Sequence, residues 1–237
     1  MSDHLRFSPD ILSRLGEELV PDIDQGIVEL AKNSYDADAT YCEVELKNVH
    51  QAGGSIIVSD DGCGMTEEAI RSGWLVIGKS GKREKELTPT YGRIPVGDKG
   101  LGRLAALRLG ARVRLVTRPK SEPRYEHRVE LNWSEFVAAD VVEDVSLNIE
   151  TFETEARAGT DIEIIDLRAP LSRATVDRLA KSFVLLSDPF LGVDHAQGAS
   201  QKPAAPEGDP GFSAKLLTED FSDLQSKVND SYFADAE

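Results

Sequence analysis

The chain has 237 residues, 40% hydrophobic and 29% charged, and a formal net charge of −15. That length suits one large domain, or a domain with an appendage, and buries enough surface to fold without covalent staples. Two cysteines, Cys42 and Cys63, exclude a disulfide framework; no apolar run approaches the ~20 residues of a membrane span, and no basic-then-apolar leader follows Met1, so a cytoplasmic setting away from membranes is expected.

Ser8-Pro9-Asp10 opens a first helix, with a capping hydroxyl before proline at the first helical position, and Leu12, Leu15 and Leu19 give it an apolar stripe. Pro21 starts a second helix, in which Ile23, Ile27, Leu30, Ala31 and Ser34 recur at helical spacing. Residues 41–49 alternate apolar and polar, the pattern of a half-buried strand; Gly53-Gly54 turns the chain into a second strand over 55–59. A short helix follows from Thr66. Residues 79–99, broken by Gly81, Pro89, Gly92, Pro95 and Gly97, read as a mobile lid or binding loop. Residues 100–109 are helical; 112–118 and 125–131 pair around a proline-bounded turn; 147–152 and 160–165 are further strands. Residues 172–186 form a helix with Val176, Leu179, Phe183 and Leu186 on one face. Residues 194–213 read as a flexible connection, and a loosely attached helix follows from about Leu217. The order predicts an α+β fold, a two-layer sandwich whose helices cover one face of a mixed sheet. The expected domain spans 1–190. Residues 191–237 read as a linker and acidic tail, the start of a following domain.

Three polar clusters carry chemistry. On the second helix, Glu29, Asn33 and Asp36 share one face, the first two separated by about 6 Å along the axis. A carboxylate and an amide so placed suit a water and a hydrated Mg²⁺, or simply a solvated polar face. At the end of the second strand, Asp60-Asp61-Gly62-Cys63-Gly64-Met65 offers a carboxylate to an exocyclic amine, with glycines that let the backbone approach a flat ring; a plain strand-end turn has the same composition. Gly97-Asp98-Lys99-Gly100-Leu101-Gly102-Arg103 opens a helix with free amides flanked by cations, an anion site. It is not a Walker A loop. Its Gly100-x-Gly102-x-x-Ala105 pattern imitates a dinucleotide fingerprint, but Pro95 spoils the strand that should precede it. Cys63 reads as a packing residue, and the four histidines have no metal-ligand spacing.

Taken in order, the clusters resemble the boxes of the ATPase superfamily of gyrase B, the ninety-kilodalton heat-shock chaperones, histidine kinases and MutL (GHKL, the Bergerat fold). Glu29-Leu-x-x-Asn33-Ser-x-Asp36-Ala resembles its N box, Asp60-x-Gly62-x-Gly64 its adenine box, Gly97-x-x-Gly100-x-Gly102 its lid glycine box and Gly159-Thr160-x-Ile162 its late strand box. Ile77-Gly-Lys79-Ser80-Gly81 is similar to the chaperone and MORC branches. The resemblance covers roughly residues 10–190 and implies that the chain binds Mg-ATP and hydrolyses it slowly to drive lid closure and a conformational or dimerisation switch. Glu29 would be the general base and Asn33 the Mg²⁺ ligand. Asp60 would hold the adenine amine, with Gly62, Gly64, Met65 and Thr160 around the base. Gly100, Leu101 and Gly102 would offer amides to the phosphates, with Lys79 and Lys99 adding charge, and Asp36 would support the helix end.

Charge is distributed to match. Residues 1–70 hold 4 basic and 15 acidic side chains, residues 71–128 hold 15 and 5, and residues 129–237 hold 8 and 22. ATP would lie between an acidic helix that takes Mg²⁺ and a basic lid that takes phosphate. The basic middle also admits a nucleic-acid partner, which the acidic total disfavours. In gyrase- and MutL-like relatives a second domain supplies a lysine to the γ-phosphate; the expected turnover of this chain alone is therefore weak. A homodimer on nucleotide binding and a client or following domain are the other expected partners. A histidine-kinase-like catalytic domain and a non-catalytic nucleotide sensor are the alternatives.

Overall fold

Alternation along seven strands builds the molecule, and the computed structural model describes residues 6–19, 22–76, 87–97, 102–187 and 208–230. In chain order the elements are α1 (Asp10–Leu19), α2 (Ile23–Asp36), β1 (Tyr41–Lys47), β2 (Ser55–Asp60), α3 (Glu67–Ala69, continued by a π-helical turn Ile70–Trp74), α4 (Gly102–Leu109), β3 (Gly110–Arg118), β4 (Tyr125–Asn132), α5 (Trp133–Ala138), β5 (Ile149–Glu153), β6 (Gly159–Leu167), α6 (Arg173–Ser187), β7 (Ser213–Thr218) and α7 (Ser222–Asp230). The strands form one sheet in the order β5-β4-β3-β6-β2-β1-β7. Every pairing is antiparallel except β1 with β7. This is the expected α+β architecture, a mixed sheet carrying helices in a second layer.

Register turns the alternation into rows. Val58, Ile162, Leu115, Val129 and Ile149 lie side by side across five strands, and Ile56, Ile164, Val113 and Leu131 form the next row. Against these rows pack Ile27, Leu30 and Ala31 of α2, Ala106, Leu107 and Leu109 of α4, and Val176, Leu179 and Phe183 of α6, all buried. Each large side chain in this layer contributes roughly 1.5–3 kcal/mol by leaving water. The row at one end of the strands breaks the pattern. Asp60, Thr160, Thr117, His127 and Thr151 are cross-strand neighbours, so a line of polar side chains runs along the inner face of β2, β6, β3, β4 and β5.

The opposite face carries a ladder of charged side chains. Arg118 bridges Glu126 at 2.9 Å and Asp161 at 2.5 Å, Arg128 reaches Glu126 at 2.6 Å, and Arg114 lies 3.1 Å from Glu163 and 3.4 Å from Glu130. Arg112 pairs with Asp166 at 3.0 Å. Cross-strand carboxylates thus neutralise the arginines that make this stretch of sequence basic, and these four do not form a free cationic field.

Three departures from the sequence reading have clear causes. Residues 213–230, expected as a tail with a loose helix, add β7 to the sheet beside β1 and pack α7 on it, burying Ala214, Leu216, Leu224 and Val228. The period-2 signal of β7 is only six residues long and follows a glycine- and proline-rich stretch, which hid it. Residues 188–207 of the expected connection lie outside the described residues. Second, α5 was not anticipated; Asn132 caps it, accepting from the Ser134 amide at 3.1 Å.

Third, residues 87–97, expected within a mobile lid, are tied to the end of α2. Asp38, at φ +57°, accepts from the Thr88 hydroxyl and from the Thr90 and Tyr91 amides at 2.7 and 3.2 Å. Arg93, 2% exposed, donates to Asp209 at 2.6 and 2.9 Å, to the Ala39 carbonyl at 2.6 Å and to the Gly211 carbonyl at 3.0 Å. Its guanidinium lies 4.8 Å from the ring centres of both Tyr35 and Tyr91. Residues 77–86 and 98–101 of the expected lid lie outside the described residues.

Candidate functional site

The buried side of α2 carries Ile27, Leu30, Ala31 and then Ser34, a polar residue at an apolar position. Its hydroxyl donates to Asp60 Oδ2 at 2.8 Å. Asp60 Oδ1 accepts from the Gly62 amide at 2.9 Å and the Thr160 amide at 3.2 Å. Among the described residues no lysine or arginine pairs with this carboxylate. Burial pushes its pKa up to about 6, against the pull of the hydrogen bonds from Gly62, Ser34 and Thr160. A carboxylate so placed is ready to accept from an additional N–H donor, because only neutral groups hold it.

The turn after β2 is shaped by close backbone approach. Gly64 adopts φ +63°, and a Cβ there would run into the Arg118 carbonyl oxygen. The Cys63 carbonyl accepts from the Lys120 amide at 2.8 Å, and the Met65 amide donates to Thr117 Oγ1 at 2.9 Å. Thr117 Oγ1 is 3.0 Å from Thr160 Oγ1. Asp60, Gly62, Gly64, Met65 and Thr160 therefore meet around one polar floor. Gly159 fits because any Cβ there would strike the Asp60 carbonyl oxygen. Asp61 points elsewhere: it accepts from the Thr40 and Tyr41 amides at 2.7 and 3.0 Å and fixes the start of β1.

Glu29 and Asn33 lie on the other side of α2, where Glu29 is partly buried and Asn33 exposed. Glu29 Oε1 takes the Lys32 ammonium at 2.7 Å. Asp36 closes the same face by accepting from the Val96 amide at 2.8 Å and the Gly97 amide at 3.1 Å. The start of the lid glycine box is thus pinned to the C-terminal turn of α2. Gly102 begins α4, which packs on α2. Lys79, Lys99, Gly100 and Leu101 lie outside the described residues. Helix α2 is the hub: Ser34 ties it to the β2 turn, and Asp36 ties it to the lid segment.

Sequence reasoning gave no role to Ser34, Thr117 or Arg93. Ser34 was detectable as a hydroxyl on an apolar helix stripe, and Thr117 as a hydroxyl ending an apolar strand pattern. Arg93 carried no signal, because its partner Asp209 lies more than a hundred positions away. Among the described residues no three histidine, cysteine, aspartate or glutamate side chains cluster as a metal-binding group, and no helix is long and apolar enough to cross a membrane.

Comparison with known proteins agrees with this geometry. A putative type II restriction enzyme, HgiDII, from Herpetosiphon aurantiacus is 35% identical over 108 residues, covering 44% of this chain and 17% of that protein. The chain thus matches less than a fifth of the length of that curated relative. The sequence model of the family described as histidine kinase-, DNA gyrase B-, and HSP90-like ATPase matches residues 22–160, from the start of α2 through Thr160 of the polar floor. The chain belongs to this family, and the matched residues mark an ATP-binding domain of the GHKL type.

Proposed function

We propose that the chain binds Mg-ATP between α2 and the β2 turn and hydrolyses it slowly, using nucleotide state to drive lid closure and a conformational or dimerisation switch. The observation that carries this reading is the Asp60 carboxylate. It is enclosed, held by the Ser34 hydroxyl and two backbone amides, and among the described residues no lysine or arginine pairs with it. Such a group suits the exocyclic amine of adenine, with Thr160, Gly62, Gly64 and Met65 bordering the ring.

Phosphates would extend from there along α2 toward Gly100, Leu101 and Gly102, with Lys79 and Lys99 as the nearby cations. Glu29 would orient and deprotonate the attacking water, its carboxylate poised by Lys32. The exposed amide of Asn33, one turn further on, suits a hard cation that keeps most of its own water. Mg²⁺, when bound there, would neutralise charge on the phosphates during transfer. Asp36 would act at one remove by holding Gly97 and so the approach of the glycine box.

Catalysis of this kind rests on positioning, and completion of the γ-phosphate site by a lysine from a following domain would leave the isolated chain slow. The likeness to a protein named as a restriction enzyme supports a nucleotide-driven module working within a longer DNA-acting chain.

Calorimetry of ATP binding with and without Mg²⁺ tests the reading. Asp60→Ala is expected to lose nucleotide, Asn33→Ala to lose the Mg²⁺ dependence, and Glu29→Ala to bind ATP normally but not hydrolyse it. Normal ATP binding by Asp60→Ala sinks the adenine assignment. A Glu29→Ala protein unchanged in every activity supports a sensor without catalysis.

A further inference from the structure

The polar floor does not stop at the adenine turn. Beyond Asp60, Thr160 and Thr117 the same cross-strand row continues to His127 and Thr151. Those two residues line a separate cleft of about 470 Å³ between the α3 turn and the β4–β5 edge. His127 is 3% exposed. Its Nδ1 lies 2.9 Å from Thr151 Oγ1, but among the described residues its Nε2 has no hydrogen-bond partner. Buried polar atoms are rarely left so, and an orphan of this kind calls for an explanation. Among the described residues Glu122 comes within ion-pair range: its Oε2 is 3.9 Å from Nε2, too far for a hydrogen bond but close enough for one donor nitrogen, lying off the line that joins them, to bridge both.

The rest of the cleft sets the sign of that donor. Glu67, Glu68 and Glu122 line it, and the only cation among its lining residues, Arg71, is engaged by Glu67 at 2.6 Å. Among the described residues no lysine or arginine pairs with the other two carboxylates, Glu68 and Glu122, which lie beside the half-exposed ring of Tyr125. An aromatic face between carboxylates favours a positive charge.

We propose that this cleft is a binding subsite for an organic cation, a guanidinium or ammonium group, which donates to Glu122 and to His127 Nε2 and lies against Tyr125. The site requires the imidazole proton on Nδ1, shared with Thr151 Oγ1, which leaves Nε2 as the acceptor. Glu122 is half-exposed, so its side chain can swing to admit the group. The cleft and the adenine turn share their floor through Thr117, which holds the Met65 amide, so an occupant would sit beside the nucleotide without touching Asp60.

The test uses the intact chain and long-range ¹H–¹⁵N NMR of the His127 imidazole. Titration with agmatine, at constant ionic strength in sodium chloride, is expected to shift Nε2 along a saturating curve. Glu122→Gln is expected to weaken that binding about tenfold, the loss of one charge-assisted hydrogen bond, while ATP affinity is unchanged. A second arm uses acetyl-glycyl-arginyl-glycine amide. Saturation by the peptide as well as agmatine identifies the side chain of a protein partner as a competent ligand; saturation by agmatine alone identifies a free small cation. No saturable shift with either cation, or binding that Glu122→Gln leaves intact, overturns the subsite.

Discussion

On the outer face of the sheet Glu126 meets Arg118 at 2.9 Å and Arg128 at 2.6 Å, whereas on the inner face Asp60 meets one hydroxyl and two amides. Both carboxylates are enclosed, and burial raises the pKa of each, but the outcomes differ. The two guanidiniums bring Glu126 below the usual carboxylate range, while Asp60 is left at about 6. Linkage gives them opposite signs. Glu126 stabilises the fold above its unfolded pKa, and that contribution drains as pH falls. Asp60 contributes most below its unfolded pKa, and that contribution drains as pH rises through about 6. The outer charges are committed to one another and serve the fold. The inner one is held at a cost to stability near neutral pH, which fits the role proposed for it in nucleotide binding.

Four measurements would sharpen this contrast or break it. The largest expected effect is Asp60→Ala, which should weaken ATP binding by about a hundredfold, or ~3 kcal/mol, and lower stability by about 1–3 kcal/mol, because the Ser34 hydroxyl and the Gly62 and Thr160 amides lose their acceptor. Next is Arg118→Ala on the outer face. It leaves Glu126 with Arg128 alone and takes the arginine from Asp161, and should lower stability by about 2 kcal/mol in urea denaturation, while ATP affinity stays within about threefold. Third is pH. Protonating Asp60 removes an acceptor, so adenosine affinity, measured to avoid titrating phosphates, should fall as pH drops below about 6, by at most about tenfold per unit. Asp60→Asn should flatten that profile; a profile that persists assigns the effect to another group. The smallest is Arg114→Ala, whose partners are all substantially exposed and which should cost below about 1 kcal/mol. A loss as large as that of Arg118 would mean that the outer ladder acts as one network.

Much of the site was legible because its residues are local. Asp60, Gly62, Gly64 and Met65 follow one another after an alternating strand, and Glu29, Asn33 and Asp36 recur at helical spacing, so both groups could be placed before any coordinates. Six of the seven strands were legible in sequence, 41–49 from its alternation and 160–165 among the others, whereas β7 was not. What escaped depends on pairing across long separations. Nothing near Thr117 in sequence indicates that register sets it between Thr160 and His127, making three separate polar residues one continuous floor. Nor does the run 87–97, irregular in composition, reveal that Asp38 and Arg93 hold it in place. Composition reports the absence of regular structure, which is a different property from the absence of order.

The parallel strand β7 and its neighbour Asp209 set the smallest piece of this chain worth expressing. A boundary chosen at residue 190 would strip the hydrogen-bonding partner from one edge of β1 and leave the guanidinium of Arg93 embedded without its counter-ion. The shortened polypeptide would carry a bare strand edge along β1, a template for sheet-to-sheet association. Aggregation of such a fragment would then report the missing strand rather than a fault in the nucleotide pocket, and a preparation reaching residue 230 should remain monodisperse where the shorter one precipitates.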